Sequence, residues 1–133
     1  MESSGNLLKR ILVVEDEPAI CEVCIRVLNG EGFEVDVAEN GKIAQGRLSR
    51  VDYSLCIIDM RTPIMSGKEL YQYILNNHPG LAERVIFTTG DLVEGYTRRF
   101  LELAGRPFLP KPFTIGDLRK IVREFFKQLE VTT

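Results

Sequence analysis

Four places in the sequence hold side chains able to do chemistry, and each closes a short apolar run. Ser54-Leu55-Cys56-Ile57-Ile58 runs into Asp59, and Ile11-Leu12-Val13-Val14 runs into Glu15-Asp16-Glu17. Val85-Ile86-Phe87 runs into Thr88-Thr89, and Pro107-Phe108-Leu109 is followed by Pro110 and Lys111. Short apolar runs bounded by polar loops read as strands buried on both faces. If these strands are parallel, their carboxyl ends share one edge, where open α/β sheets bind ligands. The carboxylates of Glu15, Asp16 and Asp59 then converge with a threonine hydroxyl and the Lys111 ammonium. Such carboxylates repel unless protonated or bridged by a cation, and one lysine cannot neutralise them all. Hard oxygen ligands without histidine or cysteine point to Mg2+, which binds one or two carboxylates and accepts phosphate oxygens. A cation, a lysine and a hydroxyl around one carboxylate describe phosphoryl transfer, with Asp59 as nucleophile. The plainer alternative is an aspartate that caps the loop after its strand.

The elements that must position these groups alternate along the chain. Pro18 suits the first turn of a helix, with Ile20, Cys24, Val27 and Leu28 at helical spacing and Gly30 or Gly32 as its stop. Phe33–Val37 alternates apolar and polar residues, which predicts a strand near an edge with one wetter face. Asn40-Gly41 opens a short helix through Leu48, and Gly67 to Leu75 forms a third, broken by Asn76-Asn77-His78-Pro79-Gly80. A fourth covers about Glu94 to Leu103. The proline in Pro107-Phe108-Leu109 restricts that strand to an edge or a strand end. Thr114 caps the last helix, Asp117 completes a capping-box-like pattern, and Leu118, Ile121, Val122, Phe125 and Leu129 make its buried stripe. Five strands alternating with five helices predict an α/β fold: a three-layer, doubly wound parallel sheet with right-handed connections.

Composition narrows the function classes. The 133 residues suit one domain, read as 9–130 between a tail or linker at 1–8 and a tail at 131–133. A net charge of −2 gives no bulk reason to expect nucleic acid or an anionic membrane as partner. Apolar runs are too short to span a bilayer. Three cysteines without a secretory signal suggest free thiols and a cytoplasmic setting. Cys21 and Cys24 form a lone C-x2-C pair inside a helical pattern, better read as core than as metal ligands.

Taken together, these motifs resemble the response-regulator receiver domain, the phospho-acceptor module of two-component signalling. The resemblance spans about Lys9 to Leu129 and rests on four motifs in order. They are Leu12-Val13-Val14-Glu15-Asp16-Glu17-Pro18, Ile57-Ile58-Asp59-Met60-Arg61-Thr62-Pro63, Thr89-Gly90 and Lys111-Pro112-Phe113. It implies a (βα)5 flavodoxin-like fold of strand order 2-1-3-4-5. It also implies that Asp59 is phosphorylated, that Asp16 binds Mg2+ directly and that Glu15 reaches it through water. Arg61 would give its backbone carbonyl to the metal, Thr89 would be the switch hydroxyl, and Lys111 would pair with the phosphoryl group. Phe108 would be the switch aromatic that packs inward on activation, here without the hydroxyl of the frequent tyrosine. A cis Lys111-Pro112 peptide is implied as well. Of the two threonines, alternation on a strand and the space beside Gly90 favour Thr89 for the phosphoryl group and Thr88 for packing.

The resemblance implies a regulatory phospho-acceptor rather than an enzyme, one that catalyses only its own phosphorylation and dephosphorylation. His78, in the breaker after the third helix, reads as solvated and unsuited to be the phosphoryl donor. The donor is expected on a sensor histidine kinase or a histidine phosphotransfer domain. A homodimer through the helix 4–strand 5–helix 5 face is a further expectation. Arg61 and Asp91, each two residues past a site residue, are expected to gate the pocket mouth against water. Two rivals fare worse: an FMN carrier needs a phosphate loop where the chain has Glu15-Asp16-Glu17, and a haloacid-dehalogenase-type phosphatase needs a D-x-D pattern after the first strand. No output domain is read after the last helix, so the chain is a free-standing regulator or the receiver of a larger protein. The Gly105–Phe113 stretch is similar in style to receivers of hybrid histidine kinases.

Overall fold

A computed structural model describes residues 9–90 and 95–132. Strands β1 (Arg10–Val14), β2 (Glu34–Ala38), β3 (Leu55–Asp59), β4 (Val85–Thr89) and β5 (Phe108–Pro110) alternate with five helices. These are α1 (Pro18–Gly30), α2 (Gly41–Leu48), α3 (Gly67–Asn77), α4 (Gly95–Ala104) and α5 (Ile115–Thr132). The strands form one parallel sheet in the order β2-β1-β3-β4-β5. This is the doubly wound architecture that the sequence pattern predicts.

Alternation within the three central strands explains the layers. Leu12, Val14, Cys56, Ile58, Val85 and Phe87 face α2, α3 and α4, where they meet Ala44, Leu48, Leu70, Ile74 and Leu101. Ile11, Val13, Leu55, Ile57 and Ile86 face α1 and α5 and pack on Leu28, Leu118 and Val122. β3 and β4 are buried at every position, which is why they read as unbroken apolar runs rather than as alternating ones. β2, at one edge, is only partly buried along most of its length, as its alternating sequence suggested.

Boundaries differ from the sequence reading by a residue or two. β2 begins at Glu34 because the Phe33 amide closes the turn after α1 by donating to the Leu28 carbonyl (3.1 Å). β5 spans Phe108–Pro110, so its proline stands at the strand end rather than at the start. α4 starts at Gly95, and Glu94 lies outside the described residues. α5 continues through Thr132, past the boundary expected at 130. The expected tail at 1–8 also lies outside the described residues. α3 begins with a reciprocal capping box between Ser66 and Glu69.

One close approach fixes the loop after β3. A Cβ on Gly67 would lie 2.7 Å from Met60 Cα and 2.9 Å from the Asp59 carbonyl oxygen. Gly67→Ala is therefore expected to destabilise the fold by about 1–3 kcal/mol through overpacking, read as a lower urea midpoint. Gly80→Ala, where nothing lies within 4 Å, is the control and should stay within about 0.5 kcal/mol of the parent. Equal midpoints for the two variants would mean that the loop yields without cost.

Candidate phosphoryl-acceptor site

The carboxyl ends of β1, β3, β4 and the turn after β5 bring Glu15, Asp59, Thr89 and Lys111 to one edge. The Lys111 ammonium reaches Glu15 Oε1 at 2.8 Å, Asp59 Oδ2 at 3.1 Å and Glu17 Oε1 at 3.5 Å. Each buried carboxylate uses its other oxygen on the backbone. Glu15 Oε2 accepts from the Glu17 amide (3.1 Å), and Asp59 Oδ1 accepts from the Arg61 amide (3.1 Å). Glu15 and Asp59 are only 2% and 4% exposed, so both charges need these donors. The Lys111 amide donates to the Thr89 carbonyl (2.8 Å), which ties the lysine to the end of β4. The Lys111-Pro112 peptide is cis.

The electrostatics show the strain of this packing. Burial pushes the Glu15 carboxyl above its usual range and the nearby Asp59 charge adds to it, while the Lys111 and Glu17 hydrogen bonds pull it back. Burial alone would lower the Lys111 ammonium, but its bonds to Glu15 and Asp59 outweigh that and push it up to about 12. The lysine is thus held charged. One ammonium still faces the acids Glu15, Asp16 and Asp59, whose oxygens lie within 4.8 Å of one another. Asp16 is exposed, which leaves the cluster open to solvent on one side. An all-oxygen, net-negative, partly open donor set suits Mg2+, a hard cation that keeps several waters. No cysteine or histidine joins this cluster.

The other residues singled out by sequence fall as follows. Arg61 is exposed, and its backbone amide donates to Asp59 Oδ1. Thr88 and Thr89 are both buried, at 3% and 0% exposure. Thr88 is the β4 residue opposite Asp59 in the register, and Thr89 lies one step nearer the edge. Phe108, on β5, is 42% exposed. Asp91 lies outside the described residues, so the Arg61–Asp91 gate has no structural description.

His78 departs from expectation. It is half-buried, its Nε2 is enclosed without a hydrogen-bond partner, and its ring packs 5.5 Å from that of Tyr73. It closes α3 at the opposite edge of the sheet, its amide donating to the Ile74 carbonyl. Cys24 and Cys56 are buried in the core, and Cys21 Sγ donates to the Glu15 carbonyl (3.3 Å). Sequence reasoning missed Glu17 as a third acid on Lys111, although the acidic run 15–17 carried the signal. It also missed Thr62, a buried hydroxyl in the loop after β3 that donates to the Met65 carbonyl (2.7 Å).

A doubly wound domain with this acidic, lysine-countered edge belongs to the flavodoxin-like α/β class that binds ligands outside the carboxyl ends of its strands. Residues 11–123 match the response regulator receiver domain, and the chain belongs to that family. It is similar to the response regulator protein PilR of Pseudomonas aeruginosa, 35% identical over 114 residues that make up 86% of this chain and 25% of PilR. The CheY-like receiver of Methanospirillum hungatei superposes with a TM-score of 0.84 at 28% identity, covering 96% of this chain and all of that one. The receiver of the Pseudomonas aeruginosa sensor histidine kinase PA1611 was solved with a magnesium ion coordinated in its active-site cleft. It superposes with a TM-score of 0.78 at 26% identity, covering 90% of this chain and 98% of that one. The chain spans a quarter of PilR and about half of other matching regulators, the transcriptional regulatory proteins CrdR and CutR. These curated relatives are response regulators, not hybrid kinases as the Gly105–Phe113 stretch suggested. Receiver domains take phosphate from histidine kinases and bind Mg2+ at an acidic site. No helix among the described residues is long and apolar enough to cross a membrane.

Crowded like charges at a functional edge reduce stability. Asp59→Asn keeps an oxygen for the Arg61 amide and leaves Lys111 to Glu15. It is expected to raise stability by about 0.5–2 kcal/mol, measured as a higher urea midpoint at low ionic strength without Mg2+. A lower midpoint would mean that the Lys111–Asp59 bond outweighs the repulsion it sits in.

Proposed function

We propose that Asp59 accepts a phosphoryl group from a phosphohistidine on a sensor histidine kinase or histidine phosphotransfer domain, in a Mg2+-dependent reaction. The observation that carries this reading is the buried Asp59 carboxylate held between the Arg61 amide and the Lys111 ammonium beside a second buried acid. An Asp59 oxygen attacks phosphorus and the phosphorus–nitrogen bond to the donor imidazole breaks. The imidazole leaves with the bond's electron pair and takes a proton from solvent. Glu15, Asp16, Asp59 and the Arg61 carbonyl would hold the cation, which neutralises the phosphoryl oxygens against these acids. Lys111 offers a second positive charge on the same oxygens once they replace the Asp59 oxygen it now binds.

The Thr89 hydroxyl then serves as the group that turns toward the phosphoryl oxygens. Its movement leaves space into which the exposed Phe108 ring can turn, altering the α4–β5–α5 face. Tyr96, Leu103 and Phe108 expose apolar surface there, at 74%, 81% and 42%, which supports this face as the surface that reads out the signal, with a second copy of the chain as one partner. The reading is of a regulatory domain that acts on its own aspartate, with nucleic-acid binding left to other domains of its relatives.

Incubation with acetyl phosphate or phosphoramidate and Mg2+ is expected to add a single phosphoryl group, seen by intact mass spectrometry. Asp59→Asn and chelation of Mg2+ should each abolish it. A stoichiometric adduct on the Asp59→Asn protein would overturn the assignment.

A further inference from the structure

The loop that follows Asp59 contains a strained residue held in place by a buried hydroxyl. Ile64 has φ 71°, a left-handed conformation that a β-branched residue adopts only under constraint. It stands at the centre of a three-residue turn closed by the Met65 amide donating to the Pro63 carbonyl (2.7 Å). Such turns are rare and strained. The Ile64 side chain is 78% exposed, so packing of that side chain does not supply the constraint. The Thr62 hydroxyl, 5% exposed, instead bridges the turn by donating to the Met65 carbonyl at 2.7 Å, closing a ring around Ile64. Gly41 covers the same carbonyl so closely that a Cβ there would collide with it.

This ring is built directly onto the acceptor. The Thr62 amide donates to the Asp59 carbonyl (3.3 Å), and Arg61, between them, donates its amide to Asp59 Oδ1 (3.1 Å). On the far side, the Gly67 amide donates to the Met60 carbonyl (3.1 Å). The path from Met60 to Gly67 is therefore pinned at both ends, with the Thr62 bond across its middle.

We infer that Thr62 is a positioning residue for phosphoryl transfer, whose hydroxyl clamps the strained turn and so aims the Arg61 backbone at Asp59. The catalytic part of the inference rests on Asp59 being the acceptor; the clamp itself does not. The Thr62 hydroxyl bonds Met65 and its amide bonds the Asp59 carbonyl rather than the carboxylate, so it acts through the Arg61 peptide. A glycine at 64 adopts positive φ without strain, so it should make the clamp dispensable.

The test compares Thr62→Val, Thr62→Ser, Ile64→Gly and the Thr62→Val/Ile64→Gly double variant. Amide hydrogen exchange at Arg61 is measured in metal-free protein against core-strand amides, and acetyl phosphate labelling is measured at saturating Mg2+. In Thr62→Val, Arg61 exchange is expected to rise and labelling to slow by about tenfold, the scale of one lost hydrogen bond. Thr62→Ser should restore both, and so should Ile64→Gly in the valine background. Unchanged Arg61 exchange in Thr62→Val overturns the inference, as does a double variant no better than the single one. Should Thr62→Val fail to fold, Ile64→Gly decides, since failure of this variant to slow opening of the 62–65 ring would show that no strain is stored there. Faster Arg61 exchange in Thr62→Val together with no labelling of the parent upholds the clamp and removes the acceptor reading instead.

Discussion

The structure turns on one unequal balance of charge: the Lys111 ammonium set among carboxylates that are mostly out of water. Glu15 and Asp59 are buried as thoroughly as core residues, yet each retains a charge-assisted bond to Lys111 and a backbone amide on its second oxygen. Buried carboxylates in that state are tolerated because every lone acceptor has a donor. They are not comfortable, since Lys111 cannot satisfy Glu15, Asp16, Asp59 and Glu17 together. An edge left short of positive charge suits a hard cation, whose charge makes up the deficit. The β1, β3 and β4 ends and the turn after β5 must stay in register for this to hold, and the sheet beneath them, packed by helices on both faces, keeps them there.

Backbone geometry contributes as much as the side chains. The Asp59 carboxylate is oriented by the Arg61 amide, so its direction depends on how the chain leaves β3. That exit is narrow. Gly67 lies against the Asp59 carbonyl and Gly41 against the Met65 carbonyl, and neither position has room for a Cβ. Pro63 fixes one dihedral of the turn, and Ile64 accepts an unfavourable one next to it. Local strain beside Asp59 fits the tendency of functional sites to hold conformations that their surroundings over-determine.

Much of this was legible in the sequence, and the reasons are physical. The buried runs ending in Asp59 and Glu15-Asp16-Glu17 marked both the central strands and the acids, because a strand covered on both faces has no other way to read. Asn40 and Thr114 announced helix starts through side chains that bond the orphan amides there, and the structure shows the Asn40 bond to the Ile43 amide and the reciprocal Thr114–Asp117 pair. Thr62 was hidden because a hydroxyl in a loop is usually solvated, and only the three-dimensional path of residues 60–67 buries it. The burial of His78 was hidden for a similar reason: the Asn76–Gly80 breaker signals a turn, but not that the ring would fold back against Tyr73 of α3. Strand limits moved by a residue where pairing, not composition, ends a strand, as at Pro110 opposite Thr89.

The helices are not anchored equally, and this bears on how a change at the β4 end would spread. α3 buries Leu70, Tyr71 and Ile74, and α5 sets Leu118, Val122 and Phe125 into the other core. α4 buries Leu101 alone among its described residues, with Phe100 half-covered against Tyr71 and Phe87. Its first turn is held to α3 by Tyr96, whose hydroxyl accepts from Lys68 Nζ at 2.6 Å and whose ring lies 4.1 Å from that ammonium. Exposed contacts of that kind are worth about 1 kcal/mol or less, whereas removing a buried leucine costs about 2–5 kcal/mol. α4 is also the helix that follows Thr89 and Gly90 in the chain. Elements with few buried contacts are the ones that move at least cost. A displacement at the end of β4 would therefore meet less resistance from α4, with its single buried residue, than from α3 or α5, whose cores would have to open to follow it.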